Sequence, residues 1–547
     1  MSVLSDVKMY ARFALGLRSF LRQRISLDEA RETVLRRMRE REANFLRVVE
    51  RGIFGHPRSP YLPLLKRAGC ELGDLRRMVA TRGMDATLLS LREAGVYVSF
   101  EEFKGRRPIE RDGTVVEVGR TTFDNPFHKS VFESESGGTT GVGTRVAHDL
   151  DDIASRGTAT MLARHAQGIL DVPTAVWRGV LPNAVGVGVM LGSALRGHMP
   201  ERWFSPTSSR DRRTPLKFRL ANAAIVEISR LHGVPMPRPE HVPLDRADVV
   251  ARWAANALRS HPVCHVNTSG GMAVRASLAA QQAGLDLTGA VFTMGGEPPT
   301  EAKVRAVRQS GARHVANYHC SGVGAIGFYC GNPSDPNDQH FVAAHLGLIQ
   351  YPRTVPGTDI QVRAFNLTSL MPTASKILLN VEIDDYGTVE ERRCGCPLEE
   401  LGFTTHVRDI RSFRKLTGEG ITLIGSDMEQ ILDTVLPARF GGSLVDYQLW
   451  EEEDEQGLTR LSLVISPRVR IDDERAVIDT VLQALSRMNS GAEGARAIWA
   501  QAGSLRIKRA EPFWTSRGKL MPLHLVKQAR ERGAWNLAET EPEAEPR

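Results

Sequence analysis

Several ordinary signatures are missing from this chain. Six cysteines scattered over 547 residues make no secreted disulfide framework. No apolar run reaches the ~18 residues that a membrane span needs. Ala175–Leu195 comes nearest, and Arg178 and Asn183 interrupt it. The N-terminus sets Lys8, Arg12 and Arg18 among apolar residues and lacks a small-residue cleavage site, which argues against a signal peptide. Residues 7–24 read instead as a helix packed on the core rather than on a membrane. Charge of one sign is scarce too: 71 Lys and Arg stand against 64 Asp and Glu. Within the basic stretch Arg31–Arg51 the acids are interleaved, as in Arg37-Met38-Arg39-Glu40-Arg41-Glu42, a pattern of i,i+4 pairing on a solvated helix. A nucleic-acid face would concentrate its charge. The expectation is a cytoplasmic protein with no transmembrane segment and no nucleic-acid partner; its oligomeric state is not legible.

Two catalytic signatures are absent as well. No Gly-Lys-Ser/Thr follows a glycine-rich loop at Walker spacing, and no Gly-x-Ser-x-Gly elbow appears in the 136–141 loop, which speaks against a serine hydrolase. What the chain does have is Ser136-Gly137-Gly138-Thr139-Thr140-Gly141. Its glycines let backbone approach a ligand closely, and its N–H groups and hydroxyls suit phosphate oxygens. By itself such a loop is as well explained by simple flexibility, so the rest of the chain has to decide.

The length implies roughly three or four units at about 150 residues each. Residues 1–110 read as helical, with Ser26 as an N-cap and helical spacing through Val49. From about 115 to 370, short apolar runs alternate with helical patterns: Thr174–Leu181, Val263–Val266 and Gly289–Met294 as strands, Met272–Ala283 and Pro299–Gln309 as helices. Ile377–Ile383, Gly387–Arg392 and Thr404–Val407 read as strands, the first two joined by a turn at Asp384–Gly387. Beyond Gly418 a smaller α/β unit follows, with strands at Leu461–Ile465 and Ser504–Ile507 and a helix at Asp473–Leu485. The tail, 536–547, is acidic and proline-containing and reads as disordered.

Three further segments join the 136–141 loop: Phe292–Pro298, an apolar strand ending in Gly295-Gly296-Glu297-Pro298; the polar, glycine-rich Asn317–Gly324; and Thr515-Ser516-Arg517-Gly518-Lys519. In this order and spacing they resemble the adenylate-forming (AMP-binding) superfamily, in particular its phenylacetate–CoA ligase-like branch, over residues 55 to 525. The resemblance implies an α/β fold with a large multi-layer adenylate-forming domain (111–408), a small mobile C-terminal α/β domain (409–535) and a helical N-terminal segment (1–110). It implies ATP-dependent conversion of a carboxylic acid to an acyl-adenylate and transfer to a thiol, with ATP, Mg²⁺ and CoA as cofactors and a small carboxylic acid as substrate. A carrier-protein thiol or an amine is the alternative acceptor.

Carried residue by residue, the resemblance gives Ser136, Gly138, Thr139, Thr140 and Gly141 to the phosphates. Gly295, Gly296, Glu297 and Pro298 fall to the adenine pocket, with Tyr318 on the base and Ser321 beside it. Asp385 falls to the ribose hydroxyls, Arg408 to the neighbourhood of the hinge, and Lys519 to the charge that develops in adenylation. Ala184–Leu191 and Thr268–Met272 become acyl-pocket walls. This chain departs from the pattern at Gly322, where the family has a magnesium-binding glutamate, at Glu382 and Ile383 before Asp385, and in the segment Arg411–Gly420. These departures keep open a non-catalytic, regulatory nucleotide-binding member of the same fold. Cys330, His340, Cys394 and Cys396 form a second constellation. Zinc takes four sulfur or nitrogen ligands, and some relatives in the branch carry a structural zinc on a Cys, a His and a Cys-x-Cys in this order. His345 is the alternative histidine.

Overall fold

The structure is a computed structural model. It describes residues 3–128, 131–135, 145–209, 214–296, 299–354, 361–412, 415–418, 421–424, 431–443, 446–453, 459–486, 505–513 and 523–525. A twelve-stranded sheet forms its centre. Half of it is parallel: β1 (Thr174–Trp177), β2 (Arg202–Ser205), β3 (Pro239–His241), β4 (Cys264–Thr268), β5 (Ala290–Gly295) and β6 (Arg313–Cys320), in the order β3-β2-β1-β4-β5-β6. Every residue of β1, β4 and β5 is buried, as short apolar strands between two helical layers must be. The sheet continues antiparallel through β7 (Gly324–Tyr329), β8 (Gln339–Phe341), β9 (Leu346–Thr354), β10 (Gln361–Ser369), β11 (Val381–Glu391) and β12 (Thr405–Ser412), in the order β6-β7-β8-β12-β11-β10-β9.

The helices that matter are α1 (Val3–Leu21), α2 (Leu27–Arg39), α3 (Leu150–Ala166), α4 (Val185–Arg196), α5 (Leu216–Leu231), α6 (Ala247–Ala257), α7 (Gly270–Gln282) and α8 (Glu301–Gln309). Side chains alternate across a strand, so β1 serves two cores. Ala175 and Trp177 join Val250 and Ala254 of α6 and Ala273 and Ala276 of α7. Val176 joins Leu17 and Phe20 of α1, Val187 and Leu191 of α4 and Phe218 of α5. The N-terminal helix thus packs inward, as its pattern suggested. Ser26 caps α2 in a capping box: its Oγ accepts from Glu29 N–H at 3.2 Å, and its own N–H donates to Glu29 Oε2 at 2.8 Å. Asp149 caps α3 by accepting from Asp151 N–H at 2.8 Å.

Near the C-terminus a four-stranded sheet (Tyr447–Glu453, Thr459–Ile465, Leu505–Arg509 and Leu523–Leu525) stands with the helix Glu474–Ser486. Among the described residues no helix is long and apolar enough to cross a membrane. Two readings need correction. The turn at Asp384–Gly387 is not a hairpin: β11 runs through it, and Asp384 at φ 67° with a pairing shift between Tyr386 and Thr388 absorbs the turn-like composition as a bulge. The helix read through Val49 breaks at Glu40, between α2 and Arg41–Val49.

Buried histidines make the fold sensitive to acid. His345 is held down to about 3 by burial and then by the charges of Arg37 and Arg156. His314 is held down to about 4 by burial foremost, with Arg308 and Arg313 adding to it, and His265 lies well below its ordinary value for the same reasons. Below about pH 6.5 the unfolded chain takes up protons that these folded sites refuse, so stability falls as pH falls, by up to about 1.4 kcal/mol per pH unit for each histidine. The urea midpoint is expected to drop steadily from pH 6.5 to pH 4.5; a flat midpoint over that window contradicts this account.

Candidate functional site

The strand order reverses direction at β1 and β4, and in an open α/β sheet the crevice outside such carboxyl ends receives ligands. Arg178, the residue after β1, builds the floor there. Its Nε donates to Asn267 Oδ1 at 3.0 Å and its Nη1 to the carbonyl of Gly295 at 3.1 Å, while Nη2 reaches the carbonyl of Thr268. One buried guanidinium thereby ties the ends of β1, β4 and β5 together. Above it opens a cavity of about 490 Å³, within the ordinary range for a small-molecule site.

Gly295, Gly296, Tyr318, Ser321 and Asp385 all line this cavity. Gly296 turns away from β5 at φ 90°, a conformation that favours glycine. Tyr318 near the end of β6 donates its hydroxyl to Asp385 Oδ2 at 2.7 Å, and Ser412 of β12 donates to Asp385 Oδ1. Burial, reinforced by the Asp385 carboxylate, pushes the Tyr318 phenol well up, so it stays a donor. The main-chain N–H of Tyr318 is itself held by Gln339 Oε1 at 2.7 Å. The carboxylate of Asp385, 4% exposed, is thus positioned from two strands at the cavity wall.

Ala184, Val185, Gly188 and Val189 line the cavity from α4, whereas Thr268–Met272 does not: Ser269 caps α7 there. Arg408 stands apart from the cavity lining; its guanidinium lies on Glu390, 3.2 Å from each carboxylate oxygen. Ser136, Gly138, Thr139, Thr140, Gly141, Glu297, Pro298 and Lys519 lie outside the described residues. Gly322 has φ 87°, and a Cβ there would stand 3.2 Å from Lys376 Cε. This turn therefore disfavours any side chain, and a magnesium-holding carboxylate does not fit at position 322.

A second cluster lies where β8 meets β12. Cys330, His340, Cys394 and His406 present donor atoms within 4.8 Å of one another, all buried. Cys396 Sγ lies 3.0 Å from His340 Nε2, and the Cys330 thiol donates to Cys396, which pushes Cys330 up and Cys396 down. His340 Nδ1 faces the carbonyl of Phe403 at 2.7 Å. A carbonyl only accepts, so Nδ1 carries the proton and Nε2 keeps its lone pair. His406 Nδ1 faces Asp338 Oδ1 at 2.7 Å in the same way, and its buried Nε2 has no hydrogen-bond partner. Two thiols and two imidazole lone pairs, with Cys396 alongside, make a donor set that fits zinc. His406 escaped the sequence reading; the signal is its pairing with His340 across β8 and β12. His345 is not in the cluster, and its Nε2 lies 3.0 Å from Arg37.

No protein-family model and no curated protein matches this chain. Among solved structures, it is similar to 2-hydroxyisobutyryl-CoA ligase in complex with 2-HIB-AMP and CoA, at 14% identity and a TM-score of 0.52, over 91% of this chain and 92% of that one. Lesser likenesses are an amide bond synthetase from Marinactinospora thermotolerans (12% identity, TM-score 0.40, covering 91% and 94%) and o-succinylbenzoate CoA synthetase from Bacillus subtilis (11%, 0.41, covering 73% and 69%). At such identities the likeness is one of fold. The chain has the α/β fold of an adenylate-forming ligase, as the resemblance in its sequence implied.

Proposed function

We propose that this chain is an AMP-forming acid–thiol ligase of the phenylacetate–CoA ligase-like kind, working in the cytoplasm. The observation that carries the reading is the convergence of Gly295-Gly296, Tyr318, Ser321 and Asp385 on one cavity at the switch point of this fold. A carboxylate oxygen of the substrate attacks the α-phosphorus of ATP, the bond to the bridging oxygen breaks, and pyrophosphate leaves. A thiol, that of CoA in the first place, then attacks the acyl carbon and AMP departs with the bonding electrons. Gly295-Gly296-Glu297-Pro298 and Tyr318 would hold the adenine, Asp385 the ribose, and Ser136, Gly138, Thr139, Thr140 and Gly141 the phosphates. Lys519 would bring positive charge to the forming adenylate when a small domain (409–535) closes on the large one (111–408), with Arg408 at the hinge.

The test is carboxylic-acid-dependent pyrophosphate exchange on folded protein over a broad panel of acids. Exchange is expected, and Lys519→Ala is expected to lower it by about a hundredfold to a thousandfold. No exchange with any acid sinks the reading. CoA, a carrier protein and amines offered side by side identify the acceptor, and a CoA thioester is the expected product.

The same reading gives the second cluster a structural zinc, held by Cys330, His340, Cys394 and one of Cys396 and His406. The metal would pin the end of β7, strand β8, the 392–398 loop and β12 together, leaving no open position for catalysis.

A further inference from the structure

The cavity does not stop at the residues assigned to the nucleotide. It runs on between α3 and α4: Arg156, Thr160, Arg164 and Gln167 line it from one helix, and Val185, Gly188, Gly192 and Arg196 from the other. Arg156 lies against Gly324, at the start of β7 and close to Ser321. Arg164 stands two turns further along α3, about 12 Å at 1.5 Å per residue. Gln167, one turn on, donates to the carbonyl of Tyr329 at 3.2 Å, and Arg313 at the amino end of β6 binds Gln167. The cavity therefore extends along β6 from its carboxyl end, at Tyr318 and Cys320, back to Val315.

Four arginines line the cavity, and two of them are occupied. Arg178 is taken up by Asn267, Thr268 and Gly295, and Arg156 by Asp152. The two at the far end differ. Among the described residues Arg164 makes no side-chain hydrogen bond and no ion pair. Arg196 donates only to neutral oxygens, the carbonyl of Gly192 at 2.9 Å and Ser193 Oγ at 2.7 Å, and its buried Nε has no partner. Among the described residues no carboxylate lies within ion-pair distance of either. Nearby His265 is neutral, with its Nε2 engaged with Thr293 Oγ1 at 2.8 Å, so it adds no further positive charge. Burial, with Arg164 adding its like charge to Arg196, holds both guanidinium groups below their ordinary range, and the Asp171 carboxylate acts on Arg196 only from beyond ion-pair distance. Two such groups in a low-dielectric recess without a directly bound anion are costly. A planar fork of donors matches a carboxylate or a similar oxyanion.

We propose that the acid activated by this chain carries a second anionic group, in the simplest case another carboxylate, which Arg164 and Arg196 hold at the far end of the cavity. The substrate class is then a dicarboxylic acid or a like dianion, entering with one acidic group at the end of the cavity assigned to the nucleotide and the other between α3 and α4. This rests on the adenylation reading for its chemistry, and on the cavity alone for its binding.

The experiment pairs acids of equal length, hexanoate with adipate and octanoate with suberate, in pyrophosphate exchange. It adds calorimetric titration of the diacids without ATP, using the full-length chain, Arg164→Met and Arg196→Gln. The wild-type chain is expected to prefer a diacid to its monoacid partner by about tenfold to a hundredfold in kcat/KM, and either substitution to bring that ratio towards one. The calorimetric affinity for the diacid should fall in parallel. A wild-type ratio of one or less, or a ratio unmoved in both variants, overturns the proposal while leaving adenylation standing. No exchange with any acid, but diacid binding that weakens in both variants, overturns adenylation and supports the anion site. No diacid binding to the wild-type chain overturns the site. Melting curves of each variant show that it is folded, and Arg164→Lys, which keeps the charge, is expected to retain part of the preference.

Discussion

Asp385→Ala is expected to lower kcat/KM for ATP in acid-dependent pyrophosphate exchange by about a hundredfold to ten-thousandfold, the loss of two charge-assisted hydrogen bonds of about 1.5–3 kcal/mol each. In the proposed role the carboxylate accepts from both ribose hydroxyls, and its location makes that economical. It is already oriented by Tyr318 and Ser412 and excluded from bulk water at the cavity wall. Preorganisation of this kind makes a hydrogen bond worth more to a ligand than one formed by a mobile surface group. Tyr318→Phe removes one of the two supports but leaves the ring, so a loss of about tenfold or less is expected. The double variant should be little worse than Asp385→Ala alone, because the tyrosine hydroxyl acts through the carboxylate. Steady-state kinetics with ATP varied at saturating acid check all three, and an Asp385→Ala effect under threefold would remove Asp385 from the nucleotide site.

The second large effect is on stability. Protein purified without chelator should contain about one zinc per chain, and Cys330→Ser should lose the metal together with at least about 3 kcal/mol of stability, a modest share of what structural zinc contributes in isolated fingers. Without the ion, the Nε2 of His406 stays buried with no partner, which alone costs about 1–3 kcal/mol. Comparing Cys396→Ser with His406→Gln identifies the fourth ligand: the substitution that lowers zinc stoichiometry removes a ligand, and the other lowers stability alone. Zinc-free protein with an unchanged melting temperature contradicts the assignment.

These residues also show how far the chain could be read without coordinates. In the parallel half of the sheet β1, β4 and β5 were legible because they are short, apolar and buried on both faces, whereas β2 and the polar edge strand β3 were not read from the sequence. Gly295-Gly296 at a strand end, Tyr318 and Asp385 stood out as motif residues, and the structure brings them to one cavity. The antiparallel half was harder. Asp384-Asp385-Tyr386-Gly387 has the composition of a turn, and only pairing with β10 and β12 keeps β11 continuous through it. His406 was invisible as a donor because local sequence says nothing of a partner brought beside it by the pairing of β8 with β12. Arg164 and Arg196 were overlooked for a different reason. Each falls in the last turn of its helix, where a basic residue ordinarily complements the helix dipole in solvent, and nothing local marks either as facing a recess.

The Arg178 contacts bear on how such a site survives sequence drift. Two of the three partners described for it are main-chain carbonyls, those of Thr268 and Gly295. Any amino acid presents a carbonyl, so the rim of the cavity is specified mostly by where the backbone runs and only weakly by side-chain identity. Substitutions can accumulate around one retained arginine, provided the strands end where they do. A ligase fold recognisable over 91% of this chain at 14% identity is what that tolerance permits.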